Sequence, residues 1–141
     1  MQRVTSAKVE VADAVVGAIG AGYVVLVGVE TGDAQTDVEY ICRKIVGLRL
    51  WTDEAGKMNL PLGDRAVLLV SQFTLLGDTA RGMRPSFDRA ARPEEARRWY
   101  ESLIEQLRGV GVTVATGIFQ ADMRVELVND GPVTVLIDSR V

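Results

Sequence analysis

Residues 23–29 read Tyr-Val-Val-Leu-Val-Gly-Val, an apolar run in which polar residues never alternate with apolar ones. A strand with one wet face alternates, whereas a continuous run marks a strand covered on both faces. The run Ala66–Val70 has the same character and turns polar abruptly at Ser71. A chain with two such strands must place other elements on both sides of them.

The rest of the sequence supplies that cover. Val9 and Val11 alternate, and Gly17, Gly20 and Gly22 break the opening stretch, so two or three strands precede residue 30. The period then changes: Val38, Ile41, Cys42, Ile45 and Val46 recur at helical spacing, with Asp33 as the expected N-cap and Gly47 as the stop. A short strand at residues 48–51 and an acidic turn at 52–57 follow. Pro93 opens a second helix whose stripe is Ala96, Trp99, Tyr100, Leu103, Ile104 and Leu107, and Gly109 and Gly111 end it. The segments VTVATG (112–117), MRVELV (123–128) and VTVLID (133–138) predict three further strands. Strands and two amphipathic helices therefore mix without a regular βαβ repeat, in a mostly β, mixed α/β fold. No linker, internal repeat or low-complexity segment interrupts the chain, and one domain over residues 1–141 is expected.

Composition narrows the chemistry. There is no histidine, which removes the usual general base near neutral pH and the commonest transition-metal ligand. The carboxylates Asp33, Asp37, Glu39, Asp53 and Glu54 lack calcium-ligand spacing, so neither metal nor cofactor is expected. A formal net charge of -3 argues against a protein that coats nucleic acid by neutralising many phosphates. No apolar run reaches the ~18 residues of a membrane span, the N-terminus lacks the apolar core of a signal peptide, and the single cysteine cannot form an internal disulfide. A cytoplasmic protein fits these features. Cys42 sits on the apolar face of the first helix and reads as a small core residue.

Three segments remain as candidates. SQFTL (71–75) ends a buried strand with side chains and freed backbone N–H groups emerging together, which suits either a site or plain strand termination. DTARGMRPSF (78–87) is a Gly/Pro-punctuated loop with Arg81 and Arg84, suited either to a phosphate or to solvated pairing with Asp78, Asp88, Glu94 and Glu95. NDGPVT (129–134) places Gly131-Pro132 between two strand-like runs, where proline cannot donate to a ladder and glycine permits close approach; turn and fixture are both open, as is the isomer of the bond.

Together these segments resemble the D-aminoacyl-tRNA deacylase family. SQFTL, RGMRPSF, KMNL (57–60) and NDGPVT occur in the family's spacing, with QRVTSAKV (2–9) at the start and FQADM (119–123) before the last strands, so the resemblance covers nearly the whole chain. It implies a compact barrel-like mixed sheet that dimerises, and hydrolysis of the ester joining a D-amino acid to the 3'-terminal adenosine of tRNA, with glycyl-tRNA also accepted. It assigns Ser71, Gln72, Phe73 and Thr74 to catalysis. Asn129, Gly131, Pro132, Val133, Thr134 and Met123 fall to substrate binding and chiral selection, and Arg81, Arg84, Ser86 and Phe87 to the tRNA. In the family the bond matching Gly131–Pro132 is cis and enters the partner subunit's site, where its carbonyls hold the substrate's amino group.

The chemistry implied suits a chain without histidine. An aminoacyl ester is already activated, the neighbouring ribose hydroxyl assists water, and backbone N–H groups near Gln72 and Phe73 would stabilise the oxyanion; Thr74 as a covalent nucleophile is the second version. A stiff wall at Gly131-Pro132 would exclude an L side chain by bulk and spare glycine. The acidic balance then implies contact confined to the acceptor end and a shallow salt dependence. Two departures from the family are visible: the chain opens at MQRV, so a shortened first strand is expected, and Met83 stands where relatives carry a basic residue. The rival readings are a non-catalytic dimeric module that binds an amino acid or nucleotide, and a generic esterase.

Overall fold

The computed structural model describes residues 1–141. The two continuous apolar runs become adjacent parallel strands, β3 (Gly22–Val27) and β6 (Ala66–Ser71), in register from Gly22 opposite Ala66 to Val27 opposite Ser71. Alternation sends their side chains to opposite faces. Tyr23, Val25, Val67 and Leu69 join one apolar cluster; Val24, Leu68 and Val70 join another.

The helices cover the first face. Helix α1 (Gln35–Gly47) buries Val38, Cys42 and Ile45, and α2 (Pro93–Gly109) buries Tyr100, Leu103 and Leu107, the spacings read from sequence. Asp33 is not the N-cap of α1. That position is Ala34, whose N–H is taken by Asp37 Oδ2 at 2.8 Å, while the Asp33 carboxylate accepts the Glu30 N–H and the Arg140 guanidinium. The Ala34 N–H, together with the Ser139 hydroxyl, holds the Asp37 carboxyl below the usual range.

The other face is covered by the sheet itself. Strand β1 (Gln2–Val11) pairs by its first residues with β3, by its last with β2 (Ala14–Ile19), and along its other edge with β8 (Arg124–Thr134). It runs ten residues from Gln2. Its Val4, Ala7 and Val9 pack on Val24, Leu68 and Val70. Strand β7 (Val114–Thr116) lies parallel beside β6, and β2 curls round to meet it. A Cβ on Gly17 would stand 2.3 Å from the Thr116 carbonyl oxygen, so only glycine permits this near-closure of the barrel. The result is a mixed, mostly β, barrel-like sheet with two helices. A separate hairpin joins β4 (Trp51–Thr52) to β5 (Met58–Leu60), the second of which the sequence pattern did not reveal.

The C-terminal strand differs from expectation. NDGPVT does not separate two strands: β8 runs through it to Thr134, and residues 135–138 form no strand, although Val135 and Met1 exchange two backbone hydrogen bonds at 2.9 Å. No helix is long and apolar enough to cross a membrane.

Tyr100 fixes α2 to the sheet by donating its hydroxyl to the Leu69 carbonyl at 2.8 Å. Burial raises the phenol to about 12, against an ordinary 10.0. The folded state thus keeps a proton that the unfolded chain releases, so this stability is intact below pH 10 and is lost as pH rises toward 12. Denaturant titrations across that window should show stability falling by up to about 1.4 kcal/mol per pH unit. Tyr100→Phe should flatten the slope, leaving the smaller part due to Tyr23, whose phenol burial also raises. An unchanged slope would contradict the assignment.

Candidate active site

Where β6 emerges from the core, its last residue Ser71 is half-buried and the chain enters a 3₁₀ turn, Phe73–Leu76. Gln72 spends its N–H on the Val27 carbonyl at 2.7 Å, which fastens the turn to the end of β3. That donor is therefore not free to meet a substrate, contrary to the sequence reading. The first bond inside the turn runs from the Leu75 N–H to the Gln72 carbonyl, so the N–H groups of Phe73 and Thr74 precede the turn's own ladder and lack partners within it. The Gln72 side-chain amide donates to the Thr74 hydroxyl. Phe73 and Thr74 are exposed.

The arginine loop is hung beside this turn. Asp78 and Ser86 exchange backbone hydrogen bonds of 2.7 and 2.9 Å, closing residues 79–85 into a loop. Phe87 then packs edge-on against Phe73, ring centroids 5.1 Å apart. The structure thus brings Ser71–Thr74 together with Ser86 and Phe87. Arg81 and Arg84 lie exposed on the loop and enter no ion pair, so the pairing with Asp78, Asp88, Glu94 and Glu95 does not form; among the loop's neighbours it is Arg89 that pairs, with Glu30 at 2.9 Å.

NDGPVT is built as a wide bulge on β8. Two steps along β1, from Gln2 to Val4, face five along β8, from Thr134 back to Asn129, and the surplus chain is thrust outward. The Gly131–Pro132 bond is cis, and both residues are exposed. Asn129 staples the bulge, its Oδ1 accepting the Val133 N–H at 2.9 Å and its Nδ2 donating to the Thr134 hydroxyl at 3.0 Å. Gly131 has φ +134° and its missing Cβ would lie 2.8 Å from Val133 Cγ2. Beneath the bulge, Arg3 donates to the Asp130 carbonyl at 3.0 Å and to the Leu50 carbonyl at 2.7 Å, with its guanidinium over the Trp51 ring. The sequence motifs include Arg3 without marking it as a functional residue. The available signal was a cation beside Val4, in a strand whose cover leaves it 9% exposed.

Within one chain these two segments stay apart. Thr134 pairs with Gln2, Gln2 with Val24, and Val24 with Leu68, so three strand spacings, ~14 Å, separate the bulge from β6. No hydrogen bond joins residues 71–74 to 129–134. Met123 belongs to neither bulge nor turn directly: its sulfur occupies the space beside Gly117, just past the end of β7, and it packs against the cluster under β1.

A model of the family described as D-Tyr-tRNA(Tyr) deacylase matches residues 1–138. The chain is 56% identical over 141 residues to a D-aminoacyl-tRNA deacylase of Symbiobacterium thermophilum and 52% identical over 142 residues to one of Geobacter sulfurreducens, in each case over 99% of this chain and 93% of the relative. Among solved structures, c-Myc DNA Unwinding Element Binding Protein superposes with a TM-score of 0.89 at 41% identity, covering 95% of this chain and 93% of that one. A probable eukaryotic D-amino acid tRNA deacylase, at 15% identity and a TM-score of 0.77 over 93% and 92% of the two chains, shares the fold. The fold and these relatives thus define a hydrolase of aminoacyl-tRNA. The chain belongs to the D-aminoacyl-tRNA deacylase family.

Asn129 offers a direct test of how the bulge is held. Asn129→Ala removes both staples, and the Val133 amide should exchange with solvent about tenfold faster, the effect of losing a bond worth about 1.4 kcal/mol. Unchanged exchange would show that Arg3 and the backbone suffice.

Proposed function

We propose that this protein hydrolyses the ester between a D-amino acid and the 3'-terminal adenosine of tRNA, and glycyl-tRNA likewise, at a site completed by two copies of the chain. Ser71–Thr74 of one copy present the donors, and the Gly131-Pro132 bulge of the second closes over the substrate's α-carbon. The observation that carries this reading is the separation of the two motifs: one chain holds both in order, outward-facing and stapled, yet too far apart to grip one small ester. The exposed Val125 and Val128 of β8, beside the bulge, are apolar surface that a second copy would cover.

Chirality is enforced by bulk. The bulge is thin at Gly131 and stiff at Pro132, and Arg3 and Asn129 hold it from below and within. A side chain projecting in the L direction meets this wall; a D side chain points away, and glycine has none to clash. Water attacks the ester carbonyl, the oxyanion is met by the Phe73 and Thr74 N–H groups, and the ribose hydroxyl leaves with the proton. Preorganised donors of this kind are worth ~3–4 kcal/mol each. The Thr74 hydroxyl accepts a bond from an amide nitrogen, which cannot take its proton, so a covalent role for Thr74 lacks the base it would need. Arg81 and Arg84, unpaired on their loop beside Phe87, face the phosphates of the acceptor end, and the protein works in the cytoplasm, where charged tRNA is found.

Side-by-side assays with D-tyrosyl-, L-tyrosyl- and glycyl-tRNA should show release from the first and third and not the second. Equal cleavage of both enantiomers, or none of any, would overturn the proposal in favour of a generic esterase or a binding module respectively. Thr74→Ala should keep single-turnover hydrolysis within about tenfold; loss by several orders of magnitude with substrate binding intact would establish the covalent version.

A further inference from the structure

Residues 27–31, where the chain leaves β3, form a floor shared by the 3₁₀ turn and the exit of the arginine loop. At its start the Val27 carbonyl accepts the Gln72 N–H at 2.7 Å, and Gly28 lies so close to the turn that a Cβ there would stand 2.4 Å from Leu76 Cδ2. Further on, the Val29 carbonyl accepts the Ala91 N–H at 2.9 Å and the Thr31 N–H donates to the Arg89 carbonyl at 3.0 Å. Phe87, two residues before Arg89, touches the turn at both ends. Its ring meets Phe73 edge-on and closes on Gly77, where a Cβ would stand 3.0 Å from Phe87 Cε1.

Within this floor Glu30 is held by groups that have no other part in the site. Its N–H donates to Asp33 Oδ2 at 2.8 Å, and its carbonyl accepts the Asp33 N–H at 3.0 Å. The Arg140 guanidinium reaches Glu30 Oε2 at 3.1 Å, Asp33 Oδ1 at 2.8 Å and the Thr31 carbonyl at 3.0 Å. The Glu30 and Asp33 side chains are only 21% and 15% exposed, so these pairs are screened less than open surface pairs. The remaining oxygen, Oε1, accepts the Arg89 Nε–H at 2.9 Å. Arg89 therefore meets a carboxylate already fixed in place, which spares one of the two side-chain entropy costs of an ordinary surface pair.

We propose that Glu30 is a positioning residue for the reaction: by fixing Arg89 it holds Phe87 against the 3₁₀ turn, and so sets where the Phe73 and Thr74 N–H groups point. This rests on the reading of those two groups as the oxyanion donors. The turn does not secure its own start, because Phe73 and Thr74 are exposed and their N–H groups precede its ladder; the group packed on Phe73 is the Phe87 ring. Phe87 is anchored on both sides. The Ser86 bonds tie it to Asp78, which follows the turn's own C-cap Gly77 and moves with the turn. The anchor at Arg89 refers it instead to the end of β3. Two backbone bonds along one ribbon allow that ribbon to twist; the Arg89–Glu30 bond, made through side chains, resists the twist.

Glu30→Gln keeps the shape of the side chain and removes its charge. With D-tyrosyl-tRNA, kcat should fall about tenfold, short of the ~10²-fold that a 1 Å misplacement costs, while KM stays within about twofold. The same fall should appear with D-tyrosyl-adenosine, which carries no acceptor-stem phosphate. Arg89→Gln, at a side chain 57% exposed, should reproduce it without disturbing the fold, and the double variant should be no slower than either, because both changes remove one contact. In all three, without substrate, the Leu75 amide that closes the turn's first bond should exchange faster. Unchanged kcat, additive losses in the double variant, or a rise in KM confined to the tRNA substrate, the sign of Arg89 meeting a phosphate, would overturn the proposal. Unaltered protein that leaves D-tyrosyl-tRNA intact would overturn the functional reading instead, and Leu75 exchange would still decide whether Glu30 holds the turn.

Discussion

Two parallel strands with no polar face, β3 and β6, govern everything else in this molecule. Their side chains leave in both directions, so a single covering layer could not shelter them. The chain meets the requirement asymmetrically, with two helices on one side and its own first and last strands folded over the other. The second solution bends β1 so strongly that it serves β2, β3 and β8 in turn, and brings β2 round to β7 at Gly17. The barrel is therefore a consequence of covering a sheet with itself.

The site follows from the same constraint. A strand that is apolar to its last turn must shed its polarity at its end, and β6 does so at Ser71, where the chain tightens into a turn with two donors ahead of its ladder. Strand β8, paired to β1 by only one edge, can carry extra residues without disturbing the core, and the bulge at 129–134 lies on this edge. Arg3 links the two levels, reaching from within the sheet to the Asp130 and Leu50 carbonyls. Removing it would leave those carbonyls, and the bulge above them, without their buried donor.

The sequence made the helices and the central strands legible because their signals are periodic and local: the stripe through Tyr100, Leu103 and Leu107 needs no knowledge of the partner. Asp33 was misread as an N-cap because its preferred partner, Arg140, lies 107 residues away and the competing carboxylate, Asp37, already serves Ala34. VTVLID alternates as a strand should, but from Val135 onward only Met1 stands beside it, and a strand without a neighbour has no ladder. The candidate segments were visible as motifs. Their geometry was not, because the commitment of the Gln72 N–H to Val27 and the burial of Arg3 depend on pairings between distant strands.

The central claim is that each site draws its donors from one copy and its chiral wall from another. Phe73→Pro deletes one proposed donor; Gly131→Val, with φ +134° and no space for a side chain, displaces the wall. Each variant alone should be inactive on D-tyrosyl-tRNA. When the two are mixed and allowed to exchange subunits, each mixed pair regains one intact site, and activity should return to about one quarter of the unaltered protein's, because half the pairs are mixed at random association. No recovery, with exchange confirmed, would contradict a site shared between copies.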